Sequence, residues 1–245
     1  MPDLTSAPWT APLPVIDTPA RKLLRAASRH GREQADRASD YLWYGSMGYP
    51  VAEAAIVPLA VDRDTDKSLQ LTLMNLQALA VSTLITRLPH KTVGRLRPNH
   101  LGCEAEGPTY DEQCGRASQD VSFPSGHTAM SFTGAGLSCA HHLHGHLYGI
   151  SEVDASACGL SVAAAAAVAV LRVRADRHWA SDSLYGVLTG FGVGYGLPTL
   201  LYYHPFWRNG TAAEHLARAS SASPRAMGTV VPTGDGVVAV LVGLF

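Results

Sequence analysis

The chain has 245 residues, room for one large or two small domains, and 47% hydrophobic against 16% charged residues exclude disorder as a description of the whole. Lys plus Arg total 19 and Asp plus Glu 20, a net charge of -1, so no basic field exists to hold a polyanion and nucleic-acid binding has no compositional support. A mean hydropathy of +0.05 is low for a bundle of lipid-facing helices and high for a solvated enzyme, which leaves both open.

Residues 1–40 form the first region. Four prolines within residues 1–15 read as an extended arm. Nothing there resembles the apolar core of a signal peptide, so any export signal is absent from this sequence. Residues 18–40 are charged and helix-permissive, with too little apolar surface to span a bilayer, and predict an amphipathic surface helix.

Residues 41–207 hold five segments nearly free of charge and predict an all-α bundle of about five core helices. The segment 41–61 is interrupted by Pro50, Glu53 and Pro58, while 68–86 includes Gln70, Asn75 and Gln77. A third helix starts near Pro124, residues 155–171 are short and alanine-rich, and 183–207 is glycine-rich. A spanning helix needs ~20 apolar residues, so only some of these qualify by length. Small residues suit close packing in lipid, but a soluble bundle would look the same. Residues 208–245 form a tail whose β-prone runs flank Thr233-Gly234-Asp235-Gly236 and predict a hairpin.

Where the scarce charge clusters, chemistry is implied. RLPHKTVGRLRPNH carries Arg87, Lys91, Arg95 and Arg97 without an acid, Pro124-Ser125-Gly126-His127 opens a helix, and LRVRADRHWASDSLYG brings Arg172, His178 and Asp182. If the apolar segments alternate in direction, all three stretches reach the same end of the bundle. Arg97 and Arg172 offer rigid forks of donors for phosphate oxygens, and Ser125 and Gly126 open a helix whose first N–H groups face an anion. His178 and Asp182, four apart on one helix face, allow the carboxylate to hold one ring nitrogen while the other attacks phosphorus. His127 supplies a second imidazole as general acid. No carboxylate cluster of metal-site type accompanies them, which predicts phosphoryl transfer without metal or other cofactor.

At these residues the sequence resembles the type 2 phosphatidic acid phosphatase superfamily, which includes lipid phosphate phosphatases, bacterial acid phosphatases and vanadium-dependent haloperoxidases. Its signature is a Lys, six residues and Arg-Pro; a Pro-Ser-Gly-His; and a Ser-Arg, five residues, His, three residues and Asp. Arg97-Pro98, Pro124 to His127, and Arg172, His178 and Asp182 match that spacing over about residues 41–205. The resemblance implies His178 as the nucleophile forming a phosphohistidine, Asp182 as its orienter, His127 as the acid, and Arg97, Arg172, Ser125 and Gly126 as phosphate ligands. Two positions depart from it: His90 falls where the family has lysine, with Lys91 one place late, and Leu171 replaces the Ser. Either His90 or Lys91 then stands in for the missing cation.

Other residues have blander readings. Arg95, Arg174 and Arg177 read as solvated or interfacial. His141, His142, His144 and His146 invite a metal assignment that polar loop histidines do not need. Asp62, Asp64 and Asp66 imitate a calcium loop, but Lys67 and Leu73 occupy the positions for Gly and Glu. Cys139 and Cys158 read as packing residues. Cys103 and Cys114 bracket a polar loop and are either a disulfide of an oxidising compartment or two free thiols.

The expected activity is hydrolysis of a phosphate monoester on a lipid or small molecule, with membrane association and a site facing the periplasm or exterior. A soluble periplasmic bundle is the alternative. The rival functions are a vanadium-dependent haloperoxidase and a catalytically inactive membrane bundle. With five spans the basic arm would share a side with the motif loops, against the positive-inside tendency if that side is external.

Overall fold

A computed structural model describes residues 12–115 and 120–203, together with the backbone of 227–233 and 236–242. The described residues hold seven α-helices: α1 (Asp17–Leu24), α2 (Arg29–Val57), α3 (Thr65–Thr92), α4 (Asn99–Glu106), α5 (Gly126–Gly145), α6 (Ser151–Arg174) and α7 (Ala180–Phe191). The last continues through π-helical turns at Gly192–Gly196 and Thr199–Tyr203. The chain is the all-α bundle that its pattern predicts, with five long helices. In the tail, Met227–Thr233 pairs antiparallel with Gly236–Val242, Val230 opposite Ala239. Gly234 and Asp235 lie outside the described residues.

Local chemistry sets the helix starts. Ser28 caps α2 by accepting from Gly31 N (3.1 Å), and Asp64 caps α3 by accepting from Lys67 N (2.8 Å). The aspartates that imitate a calcium loop are thus a helix cap and its neighbours, Asp62 pairing with Lys67 Nζ at 2.7 Å. Ser125 caps α5. Asp182, in the first turn of α7, accepts from Trp179 N (2.9 Å) and closes that end.

The central helix is α5, buried almost continuously from Thr128 to His142 and in contact with α2, α3, α6 and α7. Glycines allow the close approach. A Cβ on Gly190 would lie 2.1 Å from the carbonyl oxygen of Ala129, and one on Gly134 would lie 1.9 Å from that of Ser46. The second contact has a cause in α2. Pro50 lacks the N–H that the Ser46 carbonyl, four residues earlier, would have accepted from, and α5 packs its glycine against that oxygen.

The amino-terminal region departs from the expected surface helix. α2 runs unbroken from the charged stretch into the first apolar segment, and Arg32, Ala35 and Ser39 are buried. Arg32 lies 3.9 Å over the Tyr110 ring and donates to the Tyr110 carbonyl (2.6 Å). α1 lies against the motif loops. Asp17 is fully buried and accepts from Arg95 Nη2 (2.5 Å) and Ser181 N (2.8 Å), while Arg21 pairs with buried Asp176 at 2.7 Å. A chain with so few charges to spare uses its amino-terminal ones as partners for the loops' arginines and aspartate.

Two disulfides join Cys103 to Cys114 and Cys139 to Cys158. The second corrects the packing reading: apolar surroundings in two sequence segments do not reveal that the two thiols face each other across α5 and α6. Among the described residues, three helices are long and apolar enough to cross a membrane, Thr65–His90, Ser151–Arg174 and Ala180–Tyr203. Only 33%, 28% and 22% of their apolar windows are buried, so most of that surface faces outward, as lipid contact requires.

Candidate active site

The site is built where the start of α2, the end of α3, the start of α5 and the α6–α7 junction meet. The segment before α5 is pinned by Ser122 N donating to Arg95 O (2.9 Å) and Ser125 N donating to Asp182 O (3.2 Å). The Phe123–Pro124 peptide is cis. The loop after α6 folds back so that Arg177 N and His178 N both donate to Arg172 O.

His178 is 3% exposed, and its Nδ1 donates to the Ser122 carbonyl at 2.7 Å. A carbonyl only accepts, so Nδ1 carries the proton and Nε2 keeps a lone pair. Burial, then Arg97 and Arg172, hold this imidazole well below its usual value, so the ring is neutral. Asp182 does not hold it directly: Asp182 Oδ2 lies 3.9 Å from Nδ1. Its carboxylate instead takes hydrogen bonds from Ser122 Oγ (2.6 Å), Trp179 N and Arg95 Nη1. The shared helix face expected of the four-residue spacing does not form, because His178 lies in the loop before Trp179, the cap of α7, and capping α7 and neutralising Arg95 engage the Asp182 oxygens. Asp182 therefore orients Ser122, and Ser122 orients His178.

Arg172 is buried, its Nη1 donating to Asp36 Oδ1 (2.6 Å), Ser39 Oγ (3.1 Å) and Asp40 Oδ1 (3.5 Å). Among the described residues, Arg97 reaches only the Arg177 carbonyl, at 3.5 Å. Burial and the neighbouring Arg172 and Arg177 lower its guanidinium to about 10. The buried Nε groups of Arg97 and Arg172 have no acceptor among the described residues. Arg32 Nε shares this condition, but Arg97 and Arg172 flank His178, where their free donors are available to an anion.

His127, at the start of α5, has Nε2 2.9 Å from Asp40 Oδ1 and its ring 4.5 Å from the Trp43 ring. Burial, then Arg172, depress it to about 3, with Asp36 opposing. Gly126 is unobstructed: a Cβ there would meet only His90 Cε1, at 4.0 Å. His90 Nε2 bonds to the Pro124 carbonyl at 2.8 Å, so that nitrogen braces the motif loop. The Lys91 side chain lies outside the described residues.

The structure thus gathers Arg97, Ser125, Gly126, His127, Arg172 and His178, with Asp182 behind them. Sequence reasoning missed Ser122, Asp36 and Asp40. Asp36, Ser39 and Asp40 recur at i, i+3 and i+4 on one face of α2, the pattern that would have drawn attention to them. Arg95 and Arg177 correct their solvated reading, since both are fully buried. Asp17 pairs with the first, and Asp36 (2.8 Å) and Asp111 (2.8 Å) take the second. Arg174 is exposed.

The histidines near the end of α5 are at the opposite end of the bundle. His141 bonds Asn75 and Tyr203; His142 lies between Asp154 (2.6 Å) and Glu53 (3.0 Å); His144 bonds Tyr195. These partners account for three of the four side chains.

Two buried guanidinium groups, a helix start and two imidazoles thus lie together, and residues 71–207 match the PAP2 superfamily. That match spans more than half of the sequence and includes every residue of the three motif blocks: the chain belongs to this superfamily of phosphatase-type enzymes. No curated protein and no solved structure matches it.

Proposed function

We propose that the chain hydrolyses a phosphate monoester through a phosphohistidine, with a phosphatase core over residues 41–207 to which α1 and the start of α2 add the charge partners Asp17, Asp36 and Asp40. The observation that carries this reading is the His178 tautomer: with Nδ1–H given to Ser122, the buried Nε2 lone pair stands among the charges of Arg97 and Arg172. Nε2 attacks phosphorus, the bond from phosphorus to the leaving oxygen breaks, and a proton from His127 goes to that oxygen. Water then attacks the phosphohistidine, His127 takes its proton, and phosphate and neutral His178 are regenerated. Arg97, Arg172 and the first N–H groups of α5 hold the oxygens on which charge develops.

The substrate we favour is a lipid phosphate, supported by the outward apolar faces of three long helices. The disulfide between Cys103 and Cys114, beside the site, favours a site on the periplasmic or exterior side, where disulfides persist. A panel of phosphatidate, an isoprenyl diphosphate and an aryl phosphate would rank the substrate classes. Labelled substrate quenched during turnover should yield an acid-labile phosphoenzyme that His178→Ala fails to form. Undiminished turnover by His178→Ala would refute the mechanism.

A further inference from the structure

Asp40 stands one helical turn after Asp36, and the two carboxylates behave differently. Asp36 is divided between Arg172 and Arg177, at 2.6 and 2.8 Å, with its side chain 15% exposed. Asp40 has a single engaged oxygen and a side chain 46% exposed. That oxygen, Oδ1, lies 2.9 Å from His127 Nε2 and 3.5 Å from Arg172 Nη1. It therefore bridges the imidazole assigned to the leaving group and a guanidinium assigned to phosphate, two contacts that a bound phosphate ester would need.

We propose that Asp40 is an internal anion occupying part of the phosphate cradle of the free enzyme, so that substrate binds by displacing it. The inference rests on the phosphatase reading of the same site. Two anions cannot share one guanidinium and one imidazole at contact distance without strong repulsion, and of the two aspartates only Asp40 is free to swing outward. Trp43, against the His127 ring, holds the imidazole while its partner leaves. The competition falls hardest on ligands that have nothing but phosphate to offer. An ester gains further contacts through its organic part, whereas inorganic phosphate does not, so the returning carboxylate expels product.

The test is titration calorimetry of inorganic phosphate into the purified full chain, comparing wild type, Asp40→Asn and Asp40→Ala, with circular dichroism verifying that each variant is folded. Both variants should bind phosphate at least about fivefold more tightly, the factor that one like charge about 4 Å away is worth even at the dielectric constant of water. Equal or weaker binding by the folded variants would overturn the proposal and make Asp40 a positioning residue for His127. The phosphatase reading would survive that result as long as the His178 phosphoenzyme forms. If no variant binds phosphate and wild type forms no phosphoenzyme, the phosphatase reading fails and the displacement idea with it.

Discussion

Each imidazole of the site is governed by the partner of one nitrogen. For His178 that partner is an acceptor with no proton to offer, which leaves the Nε2 lone pair available for the attack proposed above. In the proposed mechanism His127 has the opposite requirement, since a general acid must carry a proton. Its value in the free enzyme, about 3, means that the proton is lost well below neutrality. The protonated fraction of the free enzyme therefore falls as pH rises, and kcat/KM reports the free enzyme. For an alkyl phosphate, kcat/KM is expected to increase as pH is lowered from about 8 to about 5, with His127→Ala reducing it by ~100 to 10,000-fold. An aryl phosphate, whose leaving group needs less help, should lose much less. Equal losses for the two substrates would remove His127 from the role of acid.

Among the elements, α5 decides how closely the others approach, and two glycines give opposite expectations. Gly134 faces the Ser46 carbonyl with no room for a methyl group, whereas a methyl group on Gly45 of α2 would meet nothing within 4 Å. Gly134→Ala should destabilise by roughly 1–3 kcal/mol through overpacking. Gly45→Ala should stabilise by about 0.5–1 kcal/mol, because alanine loses less backbone freedom in a helix. Thermal unfolding in detergent measures both, and equal transition temperatures would contradict the packing account. This scale also explains what the sequence discloses. Motif spacing makes Arg97, His127, Arg172 and His178 legible because each block is local, a few residues long and placed at a helix end. Asp36 and Asp40 reach the site from a helix with no local reason to be read as part of it. Cys139 and Cys158 sit in apolar stretches whose pattern records burial but not which thiol meets which. The direct pairing of His178 with Asp182 fails because the helix starts only at Ala180, which leaves His178 in the loop before it, and because Ser122, Trp179 and Arg95 compete for the same carboxylate.

On the scale of the whole molecule, the basic amino-terminal region and the motif loops share one end of the bundle, because two long helices, α2 and α3, carry the chain away from that end and back before the first motif loop. Several of its charges are already spent on that end: Arg21 on Asp176, and Arg32 on the carbonyls of Ala26, Ala27 and Tyr110. The positive-inside tendency counts lysines and arginines and gives acidic partners little weight, so these pairings do not remove the conflict with an external site.

The latch formed by α1 has a bearing on where the enzyme begins. The superfamily match starts at residue 71, yet Asp17 from α1 neutralises Arg95, and Asp36 from α2 neutralises Arg172 and Arg177. The smallest autonomous catalytic unit is thus larger than the stretch that the family shares. A chain shortened to start at Arg25 would strand Asp176 without its guanidinium partner and deprive Arg95 of one of its two carboxylates, and losing one member of a buried pair costs about 3–5 kcal/mol. That shortened chain should unfold at distinctly lower temperature and lose activity with every motif residue intact. Restoring both by adding a separate peptide of residues 12–24 would identify α1 as a detachable part of the catalytic framework, and full stability without it would show the latch to be dispensable.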